Sequence, residues 1–163
     1  MKNGDLDQID LRILRLLQED ARRSNKDLAG RVGLSPSSCL ERVRRLRETG
    51  VIRGFHAEID PSALGIGLQA LVAAQIRSHS PEDLAALRDH LTSLAEVVAT
   101  FYVTGRADFL IHLAVRDAEH LRRIIAEDLV SRPEIVRLET SLMFEEKRTQ
   151  LPILAGISPP GPP

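Results

Sequence analysis

The segment from Ser24 to Gly50 constrains this chain most, because it carries start and stop signals for two short helices separated by one tight turn. Ser24 can cap the first helix, and Asp27 three residues on favours the same first turn. Leu28, Ala29 and Val32 recur at helical spacing before Gly33 stops the run. Ser35-Pro36 opens the second helix, a capping hydroxyl followed by proline at the first helical position, where a missing N–H costs nothing. Cys39, Val43 and Leu46 form its buried seam, and Thr49-Gly50 ends it. An earlier helix is expected over residues 7–20, with Leu6, Ile9, Ile13, Leu16 and Leu17 on one stripe, and residues 51–59 follow as an extended segment. The second and third helices, joined through Gly33-Leu34, have the length and spacing of a helix-turn-helix.

The charge of this segment is at odds with that of the whole. The 163-residue chain has a net charge of −1, which alone argues against a nucleic-acid partner. Residues 21–53, however, hold nine Lys or Arg against three acids, whereas residues 61–163 hold ten basic and thirteen acidic side chains. A local basic patch on an acidic chain is a better footprint than the average. In a helix-turn-helix the second helix enters the major groove by its N-terminal residues. Ser35 stands at its head, and Ser37, Ser38, Glu41, Arg42 and Arg45 fall on the side away from the seam. Arg can take a guanine edge with two hydrogen bonds, Ser can serve either base, and Glu can accept from cytosine. Arg22, Arg23 and Lys26 precede or open the first helix of the pair, near the phosphates, which position a protein without reading sequence. Arg44 and Arg47 lie toward the helix C-terminus, where positive charge is favourable in any case.

After residues 61–67, where two glycines and a proline interrupt both periodicities, the pattern becomes strand–helix–strand–strand–helix–strand. The strands are expected at 68–77, 97–104, 109–115 and 135–147, and the helices at 81–94 and 118–130, with Pro133 barring any continuation. That order is the split βαβ, ferredoxin-like arrangement, and with the helical N-terminal half it makes the fold class α+β. Two helices cover one side of a four-stranded sheet. Val97, Ala99, Phe101 and Val103 read as the covered side of the second strand. Leu71, Val98, Tyr102, Leu110, His112 and Met143 fall on the other side, a half-apolar surface suited to dimerisation. The domains are therefore expected at 1–60 and 68–150 around a hinge at 61–67, with a Pro-rich tail without fixed structure at 151–163.

Composition narrows the functional classes. No apolar run is long enough to span a membrane, and the acidic, polar N-terminus does not read as a signal peptide. Cys39 is the single cysteine, which excludes an internal disulfide framework and fits a reducing cytoplasm; its seam position makes it a small core residue. With 3% aromatic residues and no Trp, stacking on single-stranded nucleic acid is not expected. The five histidines show no pair at metal-ligand spacing, and Glu145-Glu146 alternate faces of a strand. No phosphate-cradling loop or nucleophile elbow is present, so an enzyme is not expected. Two other readings stay open: a ligand-sensing module that regulates an enzyme by protein contact, and a DNA-architectural protein with little sequence preference.

Leu6-Asp7-Gln8-Ile9-Asp10-Leu11-Arg12-Ile13-Leu14, then Asp20-Ala21-Arg22, Leu34-Ser35-Pro36, Arg42-Val43-Arg44-Arg45-Leu46 and Gly50-Val51-Ile52, resemble the Lrp/AsnC (feast/famine) transcriptional regulators. The resemblance covers roughly residues 5 to 150. It implies a winged helix-turn-helix domain followed by a ferredoxin-like, ACT-like ligand-sensing domain of the RAM type, in a cytoplasmic regulator that binds double-stranded DNA in sequence-specific fashion. It further implies no cofactor but a small-molecule effector, an amino acid, bound where dimers meet beside the loop between the second and third strands. The matching positions are Thr104, Gly105, Arg106, Ala107 and Asp108, with Glu139 and Thr140 of the last strand. Asp108 could pair an α-ammonium and Arg106 an α-carboxylate. Arg106 stands where the family frequently has an acid, and Ala107 where it commonly has a bulky residue; the smaller Ala107 side chain would leave room for a bulkier effector. The resemblance also implies that homodimers assemble further, to an octamer, and two-fold symmetry places half-sites about 34–36 Å apart.

Overall fold

The structure is a computed structural model, and it describes residues 6–153. The chain divides into two compact units, one formed by Met1–Glu58 with Arg148–Pro163, the other by Ile59–Lys147.

The first unit holds three helices, α1 (Gln8–Glu19), α2 (Asn25–Val32) and α3 (Pro36–Glu48). Each start is fixed by a side chain that accepts from an otherwise unpaired N–H: Asp7 from Asp10, Ser24 from Asp27 and Ser35 from Ser38. Asp7 and Asp10 cap each other reciprocally, since the Asp10 carboxylate also accepts the Asp7 N–H. Ile13, Leu28, Ala29, Val32, Cys39 and Leu46 close over one another as the core. Cys39 is fully buried, and that burial pushes its thiol pKa up, away from reactivity. Residues 51–60 pair with no strand among the described residues. Leu151 and Ile153, from the stretch expected to lack structure, line a hollow with Leu14, Leu17 and Ala21 of this unit. The rest of that stretch, 154–163, lies outside the described residues, as do residues 1–5.

The second unit is a four-stranded antiparallel sheet with order β2-β3-β1-β4, made of β1 (Leu68–Ile76), β2 (Val97–Tyr102), β3 (Phe109–Val115) and β4 (Ile135–Met143). Helices α4 (Pro81–Ser93) and α5 (Ala118–Ile124) connect them in βαββαβ order, and a π turn, Ile125–Leu129, completes the span expected as helix to residue 130. A 3-10 turn, Pro61–Leu64, leads into β1. There the backbone passes so close to β3's end that a Cβ on Gly67 would lie 2.5 Å from the Arg116 carbonyl oxygen, which no side chain tolerates. β4 stops at Met143, short of the expected residue 147, because its partner β1 begins at Leu68 and pairs only as far as Gln69↔Met143. Ala70, Val72 and Ala74 of β1 and Phe109, Ile111, Leu113 and Val115 of β3 pack under Leu87, Leu91, Leu121, Ile124 and Leu129.

One strand face is the reverse of the expected one. Val97 pairs with Leu113, but the register slips before Ala99, which lies opposite His112. A single extra residue exchanges the two faces of everything beyond it. Ala99 and Phe101 therefore share the open face with His112 and Leu110, while Thr100 and Tyr102 share the helix side with Ile111 and Phe109. Phe101 is half-exposed, and the Tyr102 ring lies 5.1 Å from that of Phe109.

Leu113 is fully buried at the centre of this sheet. Leu113→Ala is expected to cost about 2–5 kcal/mol in urea unfolding, since the removed atoms leave a cavity that β3, held between β1 and β2, cannot close. A loss below about 1 kcal/mol would show that the helices move in to fill it.

Candidate nucleic-acid interface and ligand site

The N-terminus of α3 is built from hydroxyls. Ser35 Oγ accepts the Ser38 N–H at 3.2 Å and lies 3.0 Å from Ser37 Oγ and 2.9 Å from Ser38 Oγ. The Asn25 side-chain amide donates to the Pro36 carbonyl at 2.8 Å, which ties the start of α2 to that of α3. Ser35, Ser37, Ser38 and Glu41 are all exposed, and Glu41 accepts from Arg44 at 2.7 Å.

The two arginines expected beside them have a further task. Asp10 is fully buried, and both its oxygens are taken by α3: Arg42 Nη1 reaches Oδ1 at 2.9 Å and Arg45 Nη2 reaches Oδ2 at 2.6 Å. Arg42 Nη1 also lies 2.6 Å from Asp7 Oδ2. The Arg42 side chain is only 25% exposed, whereas that of Arg45 is 52% exposed and keeps donors free. The Asp10 N–H and the Arg42 guanidinium together hold the Asp7 carboxyl below the usual carboxylate range. Arg23 is likewise engaged, 2.8 Å from Asp27 and 3.6 Å from Glu19. The side chains of Arg22 and Lys26 are exposed and have no ion pair among the described residues.

Asp10 is an anchor that capping and charge balance alone do not single out. Its signals were present: an acid on the apolar stripe three residues before Ile13, and two arginines three apart on α3.

In the second unit the β2–β3 loop is pinned at its far end. Val103 N–H donates to the Asp108 carbonyl at 2.8 Å, and Asp108 N–H to the Ala74 carbonyl at 2.9 Å. The Asp108 carboxylate accepts the Ile76 N–H at 2.9 Å and lies 2.9 Å from His79 Nε2, and these contacts, His79 foremost, hold its pKa below the ordinary value. Gly105 takes φ +131°, a conformation open to glycine, and the Gln75 side-chain amide donates to the Arg106 carbonyl. Arg106 and Ala107 then line a cavity of about 80 Å³ with Ala73, Gln75, Arg137 and Glu139. Arg137 and Glu139 pair at 2.7 Å. Of the expected positions, Arg106, Ala107 and Glu139 are thus brought together. Asp108 braces the loop with both oxygens occupied, Thr104 and Gly105 do not line the cavity, and Thr140 lies on the opposite face beside Val72. Ala73, Gln75 and Arg137 were not singled out, although strict alternation puts each on the open side. Among the described residues no group of three or more His, Cys, Asp or Glu could hold a metal ion, and no helix is long and apolar enough to cross a membrane.

Residues 6–53 match the family model for winged helix-turn-helix DNA binding, and residues 69–152 match that of the Lrp/AsnC ligand binding domain. The chain belongs to the Lrp/AsnC family. This Lrp/AsnC protein is 42% identical over 149 residues to the HTH-type transcriptional regulator AldR of Mycolicibacterium smegmatis, covering 91% of this chain and 87% of that one. It is 37% identical to the leucine-responsive regulatory protein of Escherichia coli, covering 87% of each. A crystal structure of a transcriptional regulator from Neisseria meningitidis in complex with L-Met superposes with a TM-score of 0.82 at 30% identity, covering 91% of this chain and 97% of the other. The Lrp/AsnC chain is accordingly a DNA-binding transcriptional regulator with a ligand-binding domain.

Two outcomes test this geometry. Asp10→Ala is expected to destabilise the first unit by about 3–5 kcal/mol, because it leaves the half-buried Arg42 facing Asp7 alone; urea unfolding measures it, and a loss near zero would mean that both guanidiniums simply resolvate. The depressed Asp108 pKa stabilises the fold above the ordinary carboxylate value of about 3.9 and loses that contribution as pH falls through the folded value. Below about pH 4, therefore, melting temperature should fall more steeply for the wild-type chain than for Asp108→Asn; parallel acid limbs would contradict the assignment.

Proposed function

We propose that this regulator reads its operator through the hydroxyl-rich first turn of α3 and answers to a free amino acid held by the β2–β3 loop. In this reading Ser35, Ser37, Ser38 and Glu41 meet base edges, with Arg45 contributing the guanidinium edge that Asp10 does not use. Arg22, Arg23 and Lys26 lie toward the phosphates, Arg23 doing so while braced by Asp27. Arg42 serves the same surface from behind, as the residue that fastens α3 to α1.

The observation that carries the effector reading is the composition of the small cavity. It brings two guanidiniums, Arg106 and Arg137, beside one carboxylate, Glu139, and so offers both charges that a free amino acid requires. At about 80 Å³ it is far below the roughly 300–1,000 Å³ of an ordinary ligand pocket, so a ligand seated there remains largely uncovered by one chain. That supports a site completed by a second copy, with dimers formed on the open sheet face and assembled further toward an octamer. An effector at such a contact shifts assembly, and DNA affinity with it, to the extent that it binds the two states unequally.

The test is light scattering together with DNA titration, run against the twenty amino acids. At least one is expected to change the mass or the DNA affinity of the wild-type chain, and Asp108→Ala, which unpins the loop, should remove that response while DNA binding persists. A response that survives Asp108→Ala moves the site elsewhere, and no response to any amino acid overturns the effector class.

A further inference from the structure

At the far end of α3 the chain doubles back. Thr49 Oγ1 donates to the Arg45 carbonyl at 2.8 Å, and the Ile52 N–H returns to the Leu46 carbonyl at 2.9 Å. This reversal carries Arg53 alongside the last turn of the helix, where Arg44, Arg47, Glu48, Arg53 and Phe55 share the lining of a shallow hollow of about 560 Å³. The charges of the hollow do not cancel. Arg44 is already spoken for, 2.7 Å from Glu41 and 3.8 Å from Glu48, and Glu48 is thereby offset as well. Arg47 and Arg53 are exposed and have no ion pair among the described residues.

We infer that Arg47 and Arg53 form a clamp for a DNA backbone phosphate, distinct from the base-reading turn at the other end of α3. The inference rests on the DNA binding described above. A helix that enters the major groove by its N-terminus brings its C-terminal end over the phosphates that border the groove, as the third helix of a homeodomain does. The helix dipole repels anions at that end, so the attraction must come from side chains. A guanidinium suits the task better than an ammonium, because its planar fork matches two phosphate oxygens at once. Two such forks with no ion pair among the described residues, on one wall and one returning segment of the same hollow, give a phosphate two directions of approach. Such a contact adds affinity for any duplex and carries no sequence information.

The experiment uses the full chain and two duplexes of equal length, one selected by the protein from a random pool and one of random sequence, titrated over a series of salt concentrations. Arg47→Ala and Arg53→Ala are each expected to weaken both duplexes by the same factor, and the double variant Arg47→Ala/Arg53→Ala to lower the slope of log affinity against log salt by about 1, the loss of one phosphate contact. Arg123→Ala, an exposed arginine of α5 with no ion pair among the described residues, should change neither quantity. Unchanged melting temperatures would show that the variants are folded, and the two clamp residues are exposed enough for that to be the expectation. A slope equal to wild type overturns the clamp, as does a loss confined to the selected duplex, which would make these residues base readers. Inorganic pyrophosphate provides the remaining arm: protection of the wild-type chain but not the double variant, with DNA slopes unmoved, would reassign the hollow to a free anion. Failure of the wild-type chain to select any duplex from the pool overturns the DNA reading itself, an outcome separate from failure of the clamp.

Discussion

The first unit depends on a carboxylate with no access to water. Asp10 sits in the apolar stripe of α1 and is balanced by two guanidiniums that both come from α3. A buried charge is costly unless its partners are well placed, and breaking such an arrangement costs more than its formation gains. The consequence is positional rather than energetic. Helices packed only by Ile13, Cys39 and Leu46 could slide by a fraction of a residue at little cost, but two hydrogen bonds to opposite oxygens of one carboxylate admit one rotation and one register. The helix proposed to present side chains to DNA is therefore indexed against the first helix, and Asp7, as cap of α1 and second partner of Arg42, ties the index to the helix start.

The same pairing changes what the basic patch means. Nine cations in residues 21–53 suggest a broad electrostatic footprint. In the folded unit Arg23, Arg31, Arg42, Arg44 and Arg45 answer acids of the same unit, and only part of the charge faces outward unopposed. Counting Lys and Arg thus overstates the attraction for phosphate, and Arg22, Lys26, Arg47 and Arg53, which have no ion pair among the described residues, are the ones on which the proposed salt dependence chiefly rests.

The readability of the sequence followed the range of the interactions. Caps are local, so Ser24 and Ser35 marked their helices to within a residue. Periodicity is nearly local, so the helix stripes and the central strands β1 and β3 fell on the expected sides. The slip between Val97 and Ala99 is set by which β3 residue each one meets, and nothing in the run Val97-Val98-Ala99-Thr100 announces it. The end of β4 likewise depends on where its partner begins. At the candidate sites, the resemblance located the loop at residues 104–108, and alternation alone could have added Gln75 and Arg137. That Asp108 is spent on His79 and the Ile76 N–H follows from packing between segments some thirty residues apart, which one-dimensional spacing does not record.

The place of the small cavity on the sheet bears on how a ligand could act at a distance. Ala73 and Gln75 of β1 and Arg137 and Glu139 of β4 lie on the face turned away from the helices, the face that also carries Leu71, Leu110 and Phe101. Anything bound there occupies surface continuous with the half-apolar patch on which a second copy would rest. Ligand and protein partner would then share a border, and the free energy of one contact would include the other without any change inside the sheet. Such coupling does not need a route through the hydrophobic core. It requires only that Arg106, Arg137 and Glu139 meet a ligand differently with and without the neighbouring chain, which a cavity that leaves a ligand largely uncovered allows.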